Sequence, residues 1–352
     1  MKPIRVLVVD DSASMRGLIR MTLSKDPDIT VVGEAANAMQ AREAIKSLVP
    51  DVMTLDVQMP KMDGIEFLEK VMRLRPFPVV MVSGQTAQGT AATIAALELG
   101  AVSCVGKPSP NDPVPFAELP AKVKSAACAR VDRRIGRQAP RPTGAASAYQ
   151  SDGRLVAIGA STGGVEALVS IIAGFPRNCP PTAIVIHMPS PFTTSFARRL
   201  GSLTEAQVDE AKDGAALAPG RILVAPGGAT HLEIAGARER HCRLSVGEPV
   251  NGHRPSVDVL FESAAKVCGP AALGVILTGM GKDGARGLVA MRRAGAQTLG
   301  QDEATSTVYG MPKVAFELGA VEKQVPLQEV AGSILALTSA YPSRSMNHVA
   351  RG

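Results

Sequence analysis

Short, continuously apolar runs alternate with amphipathic stretches along this chain, and the alternation predicts its architecture. The run IRVLVVD near the start is apolar at nearly every position, as expected of a strand covered on both faces. The stretch SASMRGLIRMTLSK that follows has apolar residues at helical spacing, with Ser12 placed to cap it. The pairing repeats as TVVGEAAN and AMQAREAIKSLV, DVMTLDVQMP and GIEFLEKVMRLR, then PVVMVSG and GTAATIAALELG, which Gly100 stops before the strand AVSCVGKP. From residue 154 a second series begins with RLVAIGAS, the helix VEALVSIIAGF, the strand PTAIVIHMP and the helix FTTSFARRLG. Its middle is irregular (GRILVAPGGATHLEI, HCRLSVGEP). The series resumes with the helix SVDVLFESAAKVCG, the strand ALGVILTGM, the helix ARGLVAMRRAG, the short strand AQTLGQD and the helix LQEVAGSILALTSAY. Repeated strand–helix units predict an α/β protein of two doubly wound parallel-sheet domains. The expected boundaries are 1–122 for the first domain, 123–152 for a basic Arg/Pro-rich linker, 153–341 for the second domain and 342–352 for a mobile tail.

Composition narrows the function classes. A length of 352 residues suits two domains, and Trp is absent among few aromatics, which argues against a nucleic-acid site built on base stacking. Between residues 122 and 154 eight Lys and Arg face only Asp132 and Asp152, so this segment accounts for the whole net charge of +6. The segment could be a nucleic-acid arm, but a solvated linker is the favoured reading and no nucleic-acid partner is expected. The five cysteines form no CxxC or Cys/His pattern, which predicts no zinc and a reducing compartment. The one candidate membrane span, 155–175, is interrupted by Ser161, Thr162, Glu166 and several glycines and reads as strand–turn–helix. With no signal-peptide pattern at the N-terminus, the expectation is a cytoplasmic protein without membrane insertion.

In a parallel α/β sheet, functional groups gather at the carboxyl ends of the strands. In the first series these ends carry Asp10 and Asp11, Asp56, Ser83 and Lys107. Three converging carboxylates repel one another and call for a hard cation, for which Mg²⁺ is suited. A metal-bound Asp could then act as nucleophile toward a phosphoryl group, with the Lys ammonium balancing its charge. The segments VVDDSASMR, LDVQMPKMDG, VSG and VGKP resemble a response-regulator receiver domain of flavodoxin-like fold. The resemblance implies that Asp56 is phosphorylated. Asp11, Asp56 and the Gln58 carbonyl would bind Mg²⁺ directly and Asp10 through water, while Ser83 and Lys107 would engage the phosphoryl group. Cys104 stands where many receivers carry a switch aromatic, which leaves that mode of signalling in doubt here.

The second series opens on GASTGG. The third position of a dinucleotide fingerprint, its second glycine, is taken by Ser161, and no P-loop lysine follows. Gly159–Gly163 instead fits GxSxG, a turn that presents a nucleophilic serine, although a serine there can also be a plain helix cap. A base and an orienting carboxylate are required. His187 ends the strand after the Ser161 helix, with His231 and His253 as rivals in loops, and Asp283 follows a third strand, where it could equally be a helix cap. The order Ser161, His187, Asp283 differs from that of α/β-hydrolases. The segments IGASTGG, VIHMP, LTGMGKDG and QDEATSTVYGMP resemble the Rossmann-like catalytic domain of the chemotaxis protein-glutamate methylesterase family. That resemblance implies hydrolysis of glutamate γ-methyl esters on chemoreceptors with release of methanol, and deamidation of receptor glutamines. It also implies oxyanion donors at the Met280 and Gly281 amides, phosphorylation by the chemotaxis histidine kinase, no cofactor for the ester chemistry, and a receiver that covers the active site until phosphorylated. Two other readings are a receiver-regulated binding module and an esterase acting on a protein outside chemotaxis.

Overall fold

A computed structural model describes residues 2–59, 63–84, 86–108, 116–131 and 149–341. The expected linker falls largely on 132–148 and the expected tail on 342–352, so both lie mainly or wholly outside the described residues. The first domain is a five-stranded parallel sheet in the order β2-β1-β3-β4-β5. Its strands are β1 (Ile4–Val9), β2 (Ile29–Ala35), β3 (Val52–Asp56), β4 (Val79–Ser83) and β5 (Ser103–Gly106). The helices between them are α1 (Ala13–Leu23), α2 (Ala38–Leu48), α3 (Gly64–Leu74) and α4 (Ala87–Glu98), and α5 (Leu119–Ala127) closes the domain. Local chemistry sets the helix starts: the Ser12, Asn37, Asp63 and Thr86 side chains each accept a first-turn backbone amide. β3 and β4 are buried along their whole length, which explains their unbroken apolar runs.

α5 corrects the expected domain boundary, because it runs through Ala127 and crosses position 122/123. Leu119, Val123 and Ala126 bury one face of it against the sheet, while Lys122 and Lys124 occupy the rest. At the other end of the linker, Tyr149 Oη donates to the Thr338 carbonyl at 3.0 Å and Ser151 bridges Ser339. Residues 149–152 therefore belong structurally to the second domain.

That domain is built on a seven-stranded parallel sheet in the order β14-β13-β12-β6-β7-β9-β8. The strands are β6 (Leu155–Ala160), β7 (Thr182–Ile186), β8 (Gln207–Glu210), β9 (Arg221–Val224), β12 (Ala272–Ile276), β13 (Gln297–Gln301) and β14 (Lys323–Val325). A separate antiparallel hairpin, β10 (His231–Ala235) with β11 (His241–Ser245), accounts for the irregular middle. The helices are α6 (Gly164–Ile172), α7 (Ser190–Gly201), α8 (Val257–Cys268), α9 (Ala285–Arg293), α10 (Met311–Glu317) and α11 (Leu327–Leu337). The chain leaves β6 toward β7 on one side and returns to β12 on the other, so the topological switch lies at β6/β12, where open α/β sheets place their sites.

The two domains share buried apolar contact. Ile94 and Leu97 of α4, with Ala101 and Cys104, join one buried cluster with Val165 and Leu168 of α6 and Phe192 and Phe196 of α7. Cys104, at the position expected to carry an aromatic in many receivers, is part of that cluster, and burial pushes its thiol up to about 12. It therefore behaves as a small apolar contact.

Candidate functional site

At the carboxyl edge of the first sheet, Asp10, Asp11 and Asp56 each offer an oxygen within 4.8 Å of the others. Lys107, delivered by the end of β5, reaches in with its ammonium 2.9 Å from Asp10 and 2.8 Å from Asp56. Burial raises the Asp56 pKa above the ordinary carboxylate value, opposed by Lys107; the Lys107 pKa stands raised because the two carboxylates outweigh its own burial. An all-oxygen set of three acids, one of them exposed, is the donor chemistry that Mg²⁺ takes while keeping some of its water. The residues present fit that ion. Gln58 lies beside the cluster, its amide donating to Asp56 at 3.2 Å, and Ser83 ends β4 with its hydroxyl 3.2 Å from the Gly89 carbonyl at the start of α4.

The second constellation sits at the β6/β12 switch. Ser161 follows β6 directly, and its amide donates to Thr278 after β12 at 3.0 Å. The turn beyond it needs glycine at 163, where φ is +78° and a Cβ would lie 2.5 Å from Thr307. α6 is capped at Gly163 without a side-chain bond, so Ser161 is not the helix cap that its sequence position allowed. His187 follows β7, the strand paired with β6, and its Nε2 lies 2.9 Å from Asp283 Oδ2. The pair is almost dry, with the His187 and Asp283 side chains 3% and 1% exposed. Since Nε2 faces the carboxylate, it carries the proton, and the buried Nδ1 has no hydrogen-bond partner among the described residues. Ser161 Oγ likewise makes no hydrogen bond among the described residues. The two line one cleft without bonding each other, which leaves Nδ1 as the atom free to accept a proton.

Asp283 is a helix cap after all, but not of its own helix. It accepts the Val257 and Asp258 amides at the start of α8, at 2.7 and 3.3 Å, together with Ser256 Oγ at 2.7 Å and Asn251 Nδ2 at 3.0 Å. Burial alone would raise its pKa; the bonds from His187, Ser256 and Asn251 outweigh this and hold it well below the usual carboxylate range. Burial lowers the His187 pKa, against the pull of Asp283, which favours the neutral imidazole able to accept a proton. Sequence reasoning did not find Asn251, Ser256 or the role of His253, whose ring stacks on that of His187 with centroids 3.6 Å apart. The Asn251–Gly252 dipeptide signals a turn, but nothing local says what the turn touches. His231, the other rival base, instead uses its Nδ1 to accept the Ser256 amide at 3.1 Å. The Met280 and Gly281 amides donate no hydrogen bond among the described residues, and both residues line the cleft with Ser161.

The first domain closes this cleft. Lys122 of α5 donates to the His187 carbonyl at 3.2 Å, Ser125 pairs with Thr162 at 2.7 Å, and the Gly163 amide reaches the Val102 carbonyl at 3.3 Å. What remains open is about 400 Å³, bordered by Glu118, Lys122, Ser161, His187, His253 and Met280. Glu118 and Lys122 of the first domain stand over Ser161 and His187 in this space, so any substrate segment must share it with α5.

The CheB methylesterase family matches residues 156–334, and the response regulator receiver domain matches residues 6–115. A protein-glutamate methylesterase/protein-glutamine glutaminase of Agrobacterium fabrum is 58% identical over 96% of this chain and 97% of its own length. A protein of the same name from Caulobacter vibrioides is 59% identical over 97% of this chain and 99% of its own. Among solved structures, the catalytic domain of Thermotoga maritima CheB methylesterase is 37% identical with a TM-score of 0.51, covering 53% of this chain and 98% of that one. Among the described residues no helix is long and apolar enough to cross a membrane.

Proposed function

The chain belongs to the CheB methylesterase family and joins a response-regulator receiver to the catalytic domain; from that premise we propose that Ser161, His187 and Asp283 perform its ester hydrolysis. It is a protein-glutamate methylesterase and protein-glutamine glutaminase governed by its receiver. The observation that carries the residue assignment is the dry His187–Asp283 pair, whose remaining ring nitrogen and the Ser161 hydroxyl are both unclaimed in one cleft. Ser161 Oγ attacks the γ-carbonyl of a glutamate methyl ester while His187 Nδ1 takes its proton. The imidazolium is held by Asp283 through Nε2 and returns the proton to the departing methoxide, releasing methanol. The oxyanion is met by the Met280 and Gly281 amides, and water, deprotonated by the same Nδ1, hydrolyses the acyl-serine. With a glutamine side chain the same sequence releases ammonia.

The substrate is a methylated glutamate on a chemoreceptor helix, and the phosphodonor is the chemotaxis histidine kinase. Asp56 accepts the phosphoryl group; Asp11, Asp56 and the Gln58 carbonyl would hold Mg²⁺, with Asp10 acting through water. The ion, when bound, supplies positive charge against the phosphoryl oxygens. Lys107 pairs with those oxygens, and Ser83 turns from the Gly89 carbonyl toward them. Methanol release from methylated receptor tests the assignment: Ser161→Ala is expected to lose it, and Asp56→Asn to keep only the basal rate in the presence of a phosphodonor. Undiminished release by Ser161→Ala would overturn the site.

A further inference from the structure

A single tight turn between the β10/β11 hairpin and α8 touches the catalytic pair at two points. Val250 and His253 form an antiparallel bridge in which each amide donates to the other's carbonyl, at 3.0 and 2.9 Å. Asn251 and Gly252 make its tip with φ of 53° and 79°, the two positive values of the hairpin turn that Asn-Gly favours. The turn folds the Asn251 amide onto Asp283 at 3.0 Å and Asp258 at 2.8 Å. It also lays the His253 ring against His187 at 3.6 Å with the two planes 8° apart.

We propose that the Asn251–Gly252–His253 turn positions the catalytic base, with His253 fixing the plane of the His187 ring and Asn251 fixing the carboxylate to which that ring donates. The proposal rests on Ser161, His187 and Asp283 acting as described above. A single hydrogen bond from Nε2 fixes where the far edge of the imidazole points, but leaves the ring free to rock about the line from Cβ to Nε2. That rocking swings Nδ1, which lies off the line and has no partner of its own among the described residues. A second flat ring in van der Waals contact across the whole face blocks it, because any tilt drives one edge into the neighbour. An aliphatic side chain of similar bulk has no flat face and restrains the tilt less.

The charge state of His253 suits the same task. Burial and the neighbouring His187 hold its pKa down to about 4, with Asp283 pulling upward and Lys122 downward. His253 therefore presents a neutral π face while His187 becomes an imidazolium, and a cation over a neutral aromatic face is attracted rather than repelled. His253 is a positioning residue, since it acts on the substrate through His187.

The test uses the full-length protein, activated with Mg²⁺ and beryllium fluoride as phosphoryl mimic, and measures methanol release from methylated receptor for His253→Ala, His253→Leu, His253→Phe and Asn251→Ala, with Ser161→Ala as reference. His253→Ala and His253→Leu are expected to lower kcat about ten- to hundredfold with KM within about twofold, while His253→Phe keeps most of the wild-type kcat. Asn251→Ala is expected to lower kcat as well, and the ratio of activated to resting rate should be unchanged in all of them. Equal activity in His253→Leu and His253→Phe would reduce His253 to a packing residue and overturn the proposal, and the comparison holds even if His253→Ala fails to fold. A loss confined to KM, or a changed activation ratio, would place His253 in receptor or receiver docking instead and would equally overturn it. If Ser161→Ala retained activity, the triad assignment itself would fail, which is a different outcome from a loss of the turn's role.

Discussion

Asp283 accepts five hydrogen bonds, from His187 Nε2, Asn251 Nδ2, Ser256 Oγ and the amides of Val257 and Asp258. Every donor points at an anion, and two of them are the first amides of α8, where negative charge is favoured by the helix dipole. The side chain thus has two duties, holding His187 and anchoring α8, and substitution separates them. Asp283→Asn replaces one acceptor oxygen by a donor in a site that contains only donors. It should cost about 10⁴-fold in kcat through loss of the oriented tautomer. It should also cost about 2–3 kcal/mol of stability from the unpaired buried groups, measurable as a lowered Tm. Ser161→Ala should abolish the reaction with Tm unchanged, because Oγ supports nothing else among the described residues. The three positions proposed as the triad stand out in the sequence because strand ends are visible as the last polar residue after an apolar run. Asn251 and Ser256, by contrast, reach Asp283 across 32 and 27 positions of chain, and no local pattern encodes that distance. The exclusion of Ser161 as a helix cap and the reassignment of Asp283 as the cap of another helix needed the fold for the same reason.

At the scale of elements, the long buried strands and amphipathic helices were legible, and the short edge strands were not. β8 (Gln207–Glu210) is partly exposed and β14 spans only Lys323–Val325, so neither has an apolar run to announce it; both exist because a neighbour offers an unpaired edge. α10 is a seven-residue helix opening on Met311-Pro312 and was missed for similar reasons of length. No helix was expected over 119–127, and the domain end expected at 122 falls inside α5, whose lysines are interdomain and intradomain contacts: Lys122 reaches the His187 carbonyl and Lys124 pairs with Asp26 and Asp28. The α4–α7 contact gives the sharpest test of how the domains hold together. Arg199 meets Glu98 with two parallel bonds of 2.6 and 2.8 Å, and Thr90 bonds Ser195 at 2.7 Å, about two turns of α4 toward its N-terminus. The ion pair is partly exposed, so it is worth about 0.5–1 kcal/mol and should shift the closed–open balance about two- to fivefold. Arg199→Ala and Glu98→Ala should each raise basal methanol release by that factor, and the double variant should add nothing further. The activated rate should stay as in wild type. Additive effects of the two substitutions would mean that the pair is not made in solution.

For the whole molecule, the arrangement makes inhibition both steric and electrostatic. α5 stands over the cleft that holds Ser161 and His187, and it also adds to the burial of His187 and sets Lys122 beside it, both of which lower the pKa of the base, while Glu118 acts in the opposite sense. Removing the receiver should therefore change the pH profile as well as the rate. The solved Thermotoga domain, which aligns over 98% of its own chain, shows that this fold stands without a receiver. A fragment beginning at 149 retains the Tyr149 and Ser151 ties to Thr338 and Ser339 just after α11, which one beginning at 153 would lose. The fragment 149–341 should hydrolyse methylated receptor without a phosphodonor, faster than the resting full-length protein at neutral pH. Its base, freed of Lys122 and better solvated, should titrate nearer the ordinary histidine value of about 6.5. Since only the neutral imidazole accepts the serine proton, a higher pKa means that activity is lost earlier as the pH falls. The acid limb of kcat/KM for the fragment should accordingly lie at higher pH than that of resting full-length protein. Coincident acid limbs with different plateaus would leave only the steric part of the inhibition standing. A fragment no faster than the resting protein would remove that part as well.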